Sequence, residues 1–135
     1  MIVVSACLAG VPCRYDGSSK LCPKVVQMVK EGEAIAVCPE QMAGMPVPRP
    51  PAEQREGRFI DKNGVDLTVQ AERGALQALK MAQLAKCDKA ILKSKSPSCG
   101  CGKVYDGTFT GTLIEGDGVF TRLLKQNGIQ VSSQD

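Results

Sequence analysis

The sequence contains neither histidine nor tryptophan, and the missing histidine excludes several classes of site. Without it there is no Ser-His-Asp or Cys-His triad, no histidine proton shuttle and no zinc site built on imidazole. Aromatic residues are few, with two tyrosines and three phenylalanines among 135 residues, and the net charge is only +3. Neither feature indicates a nucleic acid as the main partner.

Long apolar runs and an N-terminal leader pattern are also missing. No stretch approaches the roughly 18 apolar residues of a membrane-spanning helix. The first residues, MIVVSACLAG, carry no basic region ahead of the apolar run and do not resemble a signal peptide. We therefore expect a cytoplasmic protein with no membrane partner. The length and the hydrophobic content of 43% predict one folded domain over residues 1–135.

Cysteine, by contrast, is abundant. The seven cysteines are Cys7, Cys13, Cys22, Cys38, Cys87, Cys99 and Cys101. Their number is odd and too small for a secreted disulfide scaffold, and in a reducing compartment surplus thiols indicate metal binding or sulfur chemistry. Any one of them alone is as often a small buried apolar residue. Their spacing matches neither a zinc knuckle nor a CxxC redox motif, so spacing alone identifies no metal.

Short apolar runs alternate with helical patterns along the chain. Strands are predicted over 2–7, 34–38, 89–93 and 129–133, weaker extended pieces at 59–60 and 108–112, and helices over 20–31, 68–86 and 118–128. Ser19 is the expected cap of the first helix, and Leu76 and Leu84 are expected on the buried face of the second. The proline-rich segment 39–64 is expected to be irregular and functional. This order predicts a three-layer, Rossmann-like α/β domain with a mostly parallel central sheet between helices.

Three cysteines occur near the ends of predicted strands. Cys7 and Cys38 end two of them, and Cys99 comes shortly after the strand that ends at Lys93. In open α/β sheets ligands bind beyond the carboxyl ends of the strands, so we expect these three thiols to share one crevice. Three thiolates leave a coordination position open, which favours chemistry over a closed structural metal site.

Charged residues near these cysteines are further candidates. Glu40 follows Cys38 by two positions and is a candidate general acid or base, although an exposed loop glutamate or a helix cap has the same signature. Four cations are candidate substrate contacts and equally fit solvated surface charges: Arg14, Arg49, Lys93 and Lys95.

Six motifs follow one another along nearly the whole chain. They are SACLAG (5–10), RYDG (14–17), VCPEQMAGMPVPRPPAE (37–53), NGVDLT (63–68), LKSKSPSCG (92–100) and VYDGTFTG (104–111). In this order they resemble the thiouracil desulfurase family, a group of small bacterial domains. The resemblance implies an iron–sulfur enzyme that removes sulfur from 2-thiouracil-like bases without net redox change.

The resemblance also implies a cofactor and its ligands. In that family three cysteines hold a four-iron, four-sulfur cluster, and the matching residues here are Cys7, Cys38 and Cys99. The fourth iron is then open to the thiocarbonyl sulfur of a small thiolated nucleobase or nucleoside. Cys13 is not expected to be a ligand. Among the cysteines outside the family motifs, Cys101 is expected to compete best for iron or to form a disulfide, because it lies two residues from Cys99.

The implied catalytic residues lie beside these ligands. Glu40 is implied as the proton carrier for an attacking water, and Ser98, with Ser96 as second candidate, as the residue that positions substrate or water by hydrogen bonding. The residues alone leave two alternatives open. One is a non-catalytic thiol module that binds zinc or stores a cluster, and the other is a nucleotide-binding α/β domain with incidental cysteines.

Overall fold

The computed structural model describes all 135 residues, which form eight β-strands and four α-helices. The strands are β1 (Ile2–Ser5), β2 (Ala34–Val37), β3 (Ala52–Arg55), β4 (Arg58–Asp61), β5 (Lys89–Lys93), β6 (Lys103–Tyr105), β7 (Leu113–Glu115) and β8 (Gln130–Gln134). The helices are α1 (Pro23–Lys30), α2 (Pro39–Met42), α3 (Thr68–Leu84) and α4 (Val119–Gln126). None of these helices combines the length and the apolar character that crossing a bilayer requires.

Four strands form one parallel sheet in the order β2-β1-β5-β8. Neighbouring side chains on β1 point to opposite faces, as in any strand. Val3 packs in the larger apolar cluster with residues of α3 and α4, whereas Val4 packs in the smaller cluster with Val25 of α1. The sheet therefore lies between helices on both faces, and the predicted α/β class with a mostly parallel central sheet is confirmed.

Helix α1 starts later than the sequence pattern predicted. It begins at Pro23. The first N–H groups of a helix have no partner within the helix, so proline, which lacks an N–H, costs no hydrogen bond at this position. The residue before a proline avoids the helical region, and Cys22 is accordingly extended, with φ −111° and ψ 113°. The predicted cap Ser19 plays no part in this helix, and Leu21 is exposed.

Segment 39–64 is more regular than expected. Pro39 occupies the first position of the short helix α2, so proline here starts a helix instead of forbidding one. Farther along, β3 and β4 pair as an antiparallel hairpin that contains the predicted extended piece at 59–60. Its turn residues Glu56 and Gly57 both have positive φ, 50° and 79°, as a type I′ hairpin turn requires.

The extended piece predicted at 108–112 is wrong, because these residues form the loop of a second hairpin, β6–β7. Gly107, Phe109 and Gly111 have φ of +93°, +59° and +80°, which no strand contains. The carboxylate of Asp106 accepts hydrogen bonds from the N–H and the hydroxyl of Thr108 and turns the chain out of the strand.

Helix α3 buries small residues, and the expectation that Leu76 and Leu84 are buried is wrong. These two side chains are 55% and 67% exposed, whereas four alanines of the helix lie in the core. Gly74 lets the helix approach the backbone of α2, since a Cβ at this position would lie 2.1 Å from the carbonyl oxygen of Pro39. Close backbone packing at Gly74 thus favours small residues on this face, although Leu79 is also buried there.

Candidate functional site

A cavity of about 530 Å³ lies at the carboxyl edge of the parallel sheet. The strands β1 and β5 are neighbours, but the helices that follow them, α1 and α4, pack on opposite faces of the sheet. The loops after the two strands therefore diverge, and a crevice opens between them. Residues of the hairpins β3–β4 and β6–β7 complete the wall.

Four cysteines line this cavity, and they include the three that the sequence analysis expected to meet. Cys7 lies in a 3₁₀ turn (Ala6–Ala9) directly after β1, and Cys38 lies between β2 and α2. The two predicted strands are therefore shorter than expected, and both thiols lie just beyond the sheet. Cys99 follows β5 in the loop that leads to β6.

The fourth cysteine is Cys13, which the sequence analysis did not place among the ligands. Its side chain is only 2% exposed and lies close enough to the thiols of Cys7 and Cys38 to affect their ionisation. No spacing motif relates these residues, so no sequence signal pointed to this contact. Cys101 does not line the cavity: its Sγ lies 3.9 Å from the carbonyl oxygen of Val131, so two residues of separation do not bring it to the same place as Cys99.

The four thiols ionise very differently. A hydrogen bond with Cys13 lowers the pKa of Cys7 against the effect of burial. A hydrogen bond with Cys38 lowers the pKa of Cys13, but the bond with Cys7 and burial outweigh it and raise the value to about 11. The bond with Cys13, together with burial, raises the pKa of Cys38. Burial raises the pKa of Cys99 to about 12, despite a hydrogen bond from Ser5. Cys7 is therefore the thiol that ionises first.

Glu40 is held rigidly in the cavity wall. Its Oε1 accepts hydrogen bonds from Nε and Nη2 of Arg49, at 3.3 and 3.1 Å, and its Oε2 accepts one from Ser98 Oγ at 2.9 Å. The two charged side chains are 16% and 8% exposed. Arg49 Nη2 also donates to the carbonyl oxygen of Cys13, at 3.0 Å. The arginine predicted as a substrate contact thus fixes the carboxylate to the loop that carries a thiol.

The two predicted serines have different surroundings. Ser98 is 3% exposed and does not line the cavity, and the partner of its hydroxyl is Glu40. Ser96 does line the cavity, and its Oγ accepts the backbone N–H groups of Ser98 and Cys99 at 3.1 and 2.9 Å. Ser98 therefore contacts the proposed proton carrier, while Ser96 shapes the loop that carries a thiol.

The first turn of α4 anchors the Cys99 loop. The carbonyl oxygen of Ser98 accepts the backbone N–H of Phe120 at 2.9 Å, and that of Cys99 accepts the buried hydroxyl of Thr121 at 2.9 Å. Gly118 makes this approach possible, because a Cβ there would lie 2.3 Å from the backbone of Ser98. The backbone at this thiol is thus held by the start of α4 and by the hydroxyls of Thr121 and Ser96.

Positive charge surrounds the cavity. Four lining cations form no ion pair: the predicted Arg14, Lys93 and Lys95, and in addition Lys62. Burial and the neighbouring guanidinium of Arg14 lower the pKa of Lys93. These side chains can donate hydrogen bonds to the carbonyl oxygens or negative charges of a bound molecule.

The arrangement of the thiols suits a cluster better than a single ion. No three histidine, cysteine, aspartate or glutamate side chains converge closely enough to hold one metal ion. In an iron–sulfur cluster each thiolate binds a different iron, so the ligands surround a body of several atoms and do not meet at a point. A cavity with cysteines on three separate loops provides such room.

Three comparisons with known proteins bear on this cavity. A family model described as 2-thiouracil desulfurase matches residues 2–135. The uncharacterized protein YbbK of Bacillus subtilis (strain 168) is 40% identical over 145 aligned positions, covering 100% of this chain and 96% of that protein. The solved structure of the 4Fe-4S-dependent thiouracil desulfidase TudS is similar, with 45% identity, a TM-score of 0.93, and coverage of 99% of this chain and 90% of that chain.

Proposed function

The chain belongs to the 2-thiouracil desulfurase family, and we propose that it is a 4Fe-4S-dependent enzyme that converts 2-thiouracil to uracil. The observation that carries the proposal is that Cys7, Cys38, Cys99 and Glu40 line one cavity. In this reaction the oxygen of a water molecule replaces the thiocarbonyl sulfur, and the sulfur leaves as hydrogen sulfide. The carbon keeps its oxidation state, so no electron donor or acceptor is needed.

We assign Cys7, Cys38 and Cys99 as the ligands of the cluster. Each comes from a different loop at the carboxyl edge of the sheet, which supports binding to three different irons. When bound, such a cluster supplies one iron without a protein ligand, which acts as a Lewis acid toward the thiocarbonyl sulfur. Cys13 is not assigned as a ligand; its thiol lies beside those of Cys7 and Cys38 and affects their ionisation.

Glu40 is assigned as the base that takes a proton from the attacking water. A carboxylate has about four lone-pair positions, two on each oxygen. Arg49 occupies both positions on Oε1, and Ser98 occupies one on Oε2, which leaves one position on Oε2 without a protein partner. Oε2 is therefore the atom that accepts the proton and later returns it to the leaving sulfur.

Ser98 and Ser96 support this chemistry from outside the reacting atoms. The hydrogen bond from Ser98 sets the orientation of the Glu40 carboxylate, so Ser98 is a positioning residue. Ser96 fixes the backbone at Cys99, and its hydroxyl also lowers the pKa of that thiol against the effect of burial. Both serines thus act through a neighbouring residue, and contact with the substrate is not required of either.

An anaerobic reconstitution tests the proposed function. The protein is loaded with iron and sulfide in the absence of oxygen, and its iron content, visible absorption and conversion of 2-thiouracil to uracil and hydrogen sulfide are measured. We expect a bound cluster and stoichiometric release of the two products. A folded protein that takes up no iron would refute the cofactor, and a loaded protein that leaves 2-thiouracil intact would refute the substrate.

A further inference from the structure

The five aromatic residues of the chain fall into two groups. Phe59 and Phe120 are 1% and 0% exposed and belong to the apolar core. The other three, Tyr15, Tyr105 and Phe109, all line the cavity. Every aromatic ring that the core does not use is therefore at the candidate site.

Phe109 has a backbone conformation that ordinary residues avoid. Its φ is +59°, in the left-handed region, which is unfavourable for an L-residue with a Cβ. Two hydrogen bonds from the loop to one carboxylate oxygen oppose this cost. Glu53 Oε1 accepts the N–H of Phe109 at 3.1 Å and the N–H of Gly107 at 3.0 Å.

A second residue of the same strand also holds this loop. The guanidinium of Arg55 donates from Nε and Nη2 to the carbonyl oxygen of Gly107. Glycine is required there, since a Cβ would lie 2.5 Å from the Cβ of Arg55. Hairpin β3–β4 thus fixes the loop of hairpin β6–β7, and an unfavourable backbone conformation is maintained at a partly exposed phenylalanine of the cavity wall.

The two tyrosines are occupied differently. The guanidinium of Arg14 lies over the ring of Tyr15, 5.7 Å from its centre, and the carbonyl oxygen of Tyr15 accepts the N–H of Arg49. Tyr105 is the last residue of β6 and pairs with Leu113 in the hairpin. Phe109 is the aromatic residue that is outside any strand and whose backbone is fixed by charged side chains.

We propose that Phe109 determines specificity for the base: its ring stacks on the flat face of the thiolated pyrimidine. This inference rests on the proposed function and adds the residue that selects a planar ring. Stacking on an aromatic side chain favours a planar base by about 5- to 100-fold in binding, judged from alanine substitutions in other proteins. A saturated ring with the same thiocarbonyl group is puckered and gains little from such a contact.

The experiment compares 2-thiouracil with 5,6-dihydro-2-thiouracil, which differ in the planarity of the ring. Steady-state kcat and KM are measured for both compounds with the cluster-loaded wild type, Phe109→Ala and Phe109→Tyr. The inhibition constants of uracil and 5,6-dihydrouracil give a readout that is independent of turnover. Ile114→Ala is the matched control, because it removes an exposed apolar side chain of the same hairpin outside the cavity.

For Phe109→Ala we expect a higher KM for 2-thiouracil and a weaker inhibition by uracil, with little change for the two dihydro compounds. The preference for planar rings then falls by about 5- to 100-fold. Phe109→Tyr and Ile114→Ala are expected to keep it.

Each other result is decisive. An unchanged preference in Phe109→Ala, or an equal loss for planar and puckered compounds, would overturn the role of Phe109 while leaving the proposed function intact. A wild type that binds iron but converts neither compound would overturn the proposed function and this inference with it.

Discussion

The cavity has a floor and a rim that are built in different ways. The floor consists of the segments that follow β1, β2 and β5, which carry the three proposed ligands and, at the start of α2, Glu40. The parallel sheet and close backbone packing at Gly118 and Gly74 hold it. The rim consists of the hairpins β3–β4 and β6–β7, which are joined through side chains such as Glu53 and Arg55.

This difference separates two properties of the site. Floor positions follow from the sheet, so single side-chain changes there alter the chemistry without moving the frame. Rim positions depend on a few polar contacts. Changes there are expected to alter the binding of substrate while the proposed ligands stay in place. Substitutions in the two regions are therefore expected to have different signatures.

The largest effect is expected in the floor. Cys38→Ser replaces a proposed ligand thiolate with a hydroxyl, a poor ligand for iron, and we expect the reconstituted protein to lose its cluster and its activity. Iron content and visible absorption measure the loss. Cys13→Ser, in the same cavity, and Cys101→Ser, outside it, are expected to retain iron. Loss of the cluster in Cys13→Ser with the fold intact would mean that the ligand set is assigned wrongly.

A second floor substitution is expected to remove turnover and leave the cluster. Glu40→Gln keeps the shape of the side chain but removes the base, and positioned acid–base groups contribute about 10²- to 10⁴-fold. We expect kcat to fall by such a factor at unchanged iron content. An active Glu40→Gln enzyme would exclude this carboxylate as the proton acceptor, and a protein that binds iron but was never active would favour a non-catalytic metal-binding module.

A rim substitution is expected to give the opposite pattern. Arg55→Met removes two charged hydrogen bonds to Gly107, each worth about 1.5–3 kcal/mol, so the loop that carries Phe109 is held less firmly. We expect the KM for 2-thiouracil to rise roughly 10-fold. This is less than the full loss of the two bonds would give, because Glu53 still holds the loop. Arg58→Met, on the neighbouring strand, removes only an exposed ion pair and is the control. Loss of iron in Arg55→Met alone would show that rim and floor are not independent.

The smallest effect concerns acid stability at the start of α3. Hydrogen bonds from Thr68 and Arg58 lower the pKa of Asp66 from 3.8 to about 2. Because the folded-state pKa lies below the unfolded one, this stabilisation is present above pH 3.8 and is lost as the pH falls toward 2. Urea unfolding in this range is expected to show a shallower acid dependence for Asp66→Asn than for wild type. Identical slopes would contradict the assignment.

Much of the floor could be predicted from the sequence. Cysteines at the end of an apolar run or shortly after it, together with the rule that parallel sheets bind ligands at their carboxyl edge, predicted that Cys7, Cys38 and Cys99 lie together. Cys13 was missed because its position depends on how the loop after β1 folds back. The family resemblance, and not the spacing, supplied the cluster and the substrate.

The rim could not be predicted in the same way. Its two hairpins depend on positive φ at residues such as Glu56 and Phe109, which carry no strong turn signal. The contact that fixes it joins Glu53 to Phe109, 56 positions away, and local patterns contain no information about such pairs. The prolines of the segment indicated an irregular loop, whereas Pro39 starts a helix.

The placement of Tyr15 and Tyr105 has a spectroscopic consequence. They are the only tyrosines, and the chain has no tryptophan, so ultraviolet emission excited in the tyrosine band arises entirely from the cavity wall. Any bound group that absorbs in the near ultraviolet lies beside both emitters and accepts their excitation energy. Tyrosine fluorescence of the unlabelled wild-type protein therefore reports when the cavity is occupied. Its quenching follows cofactor uptake in real time.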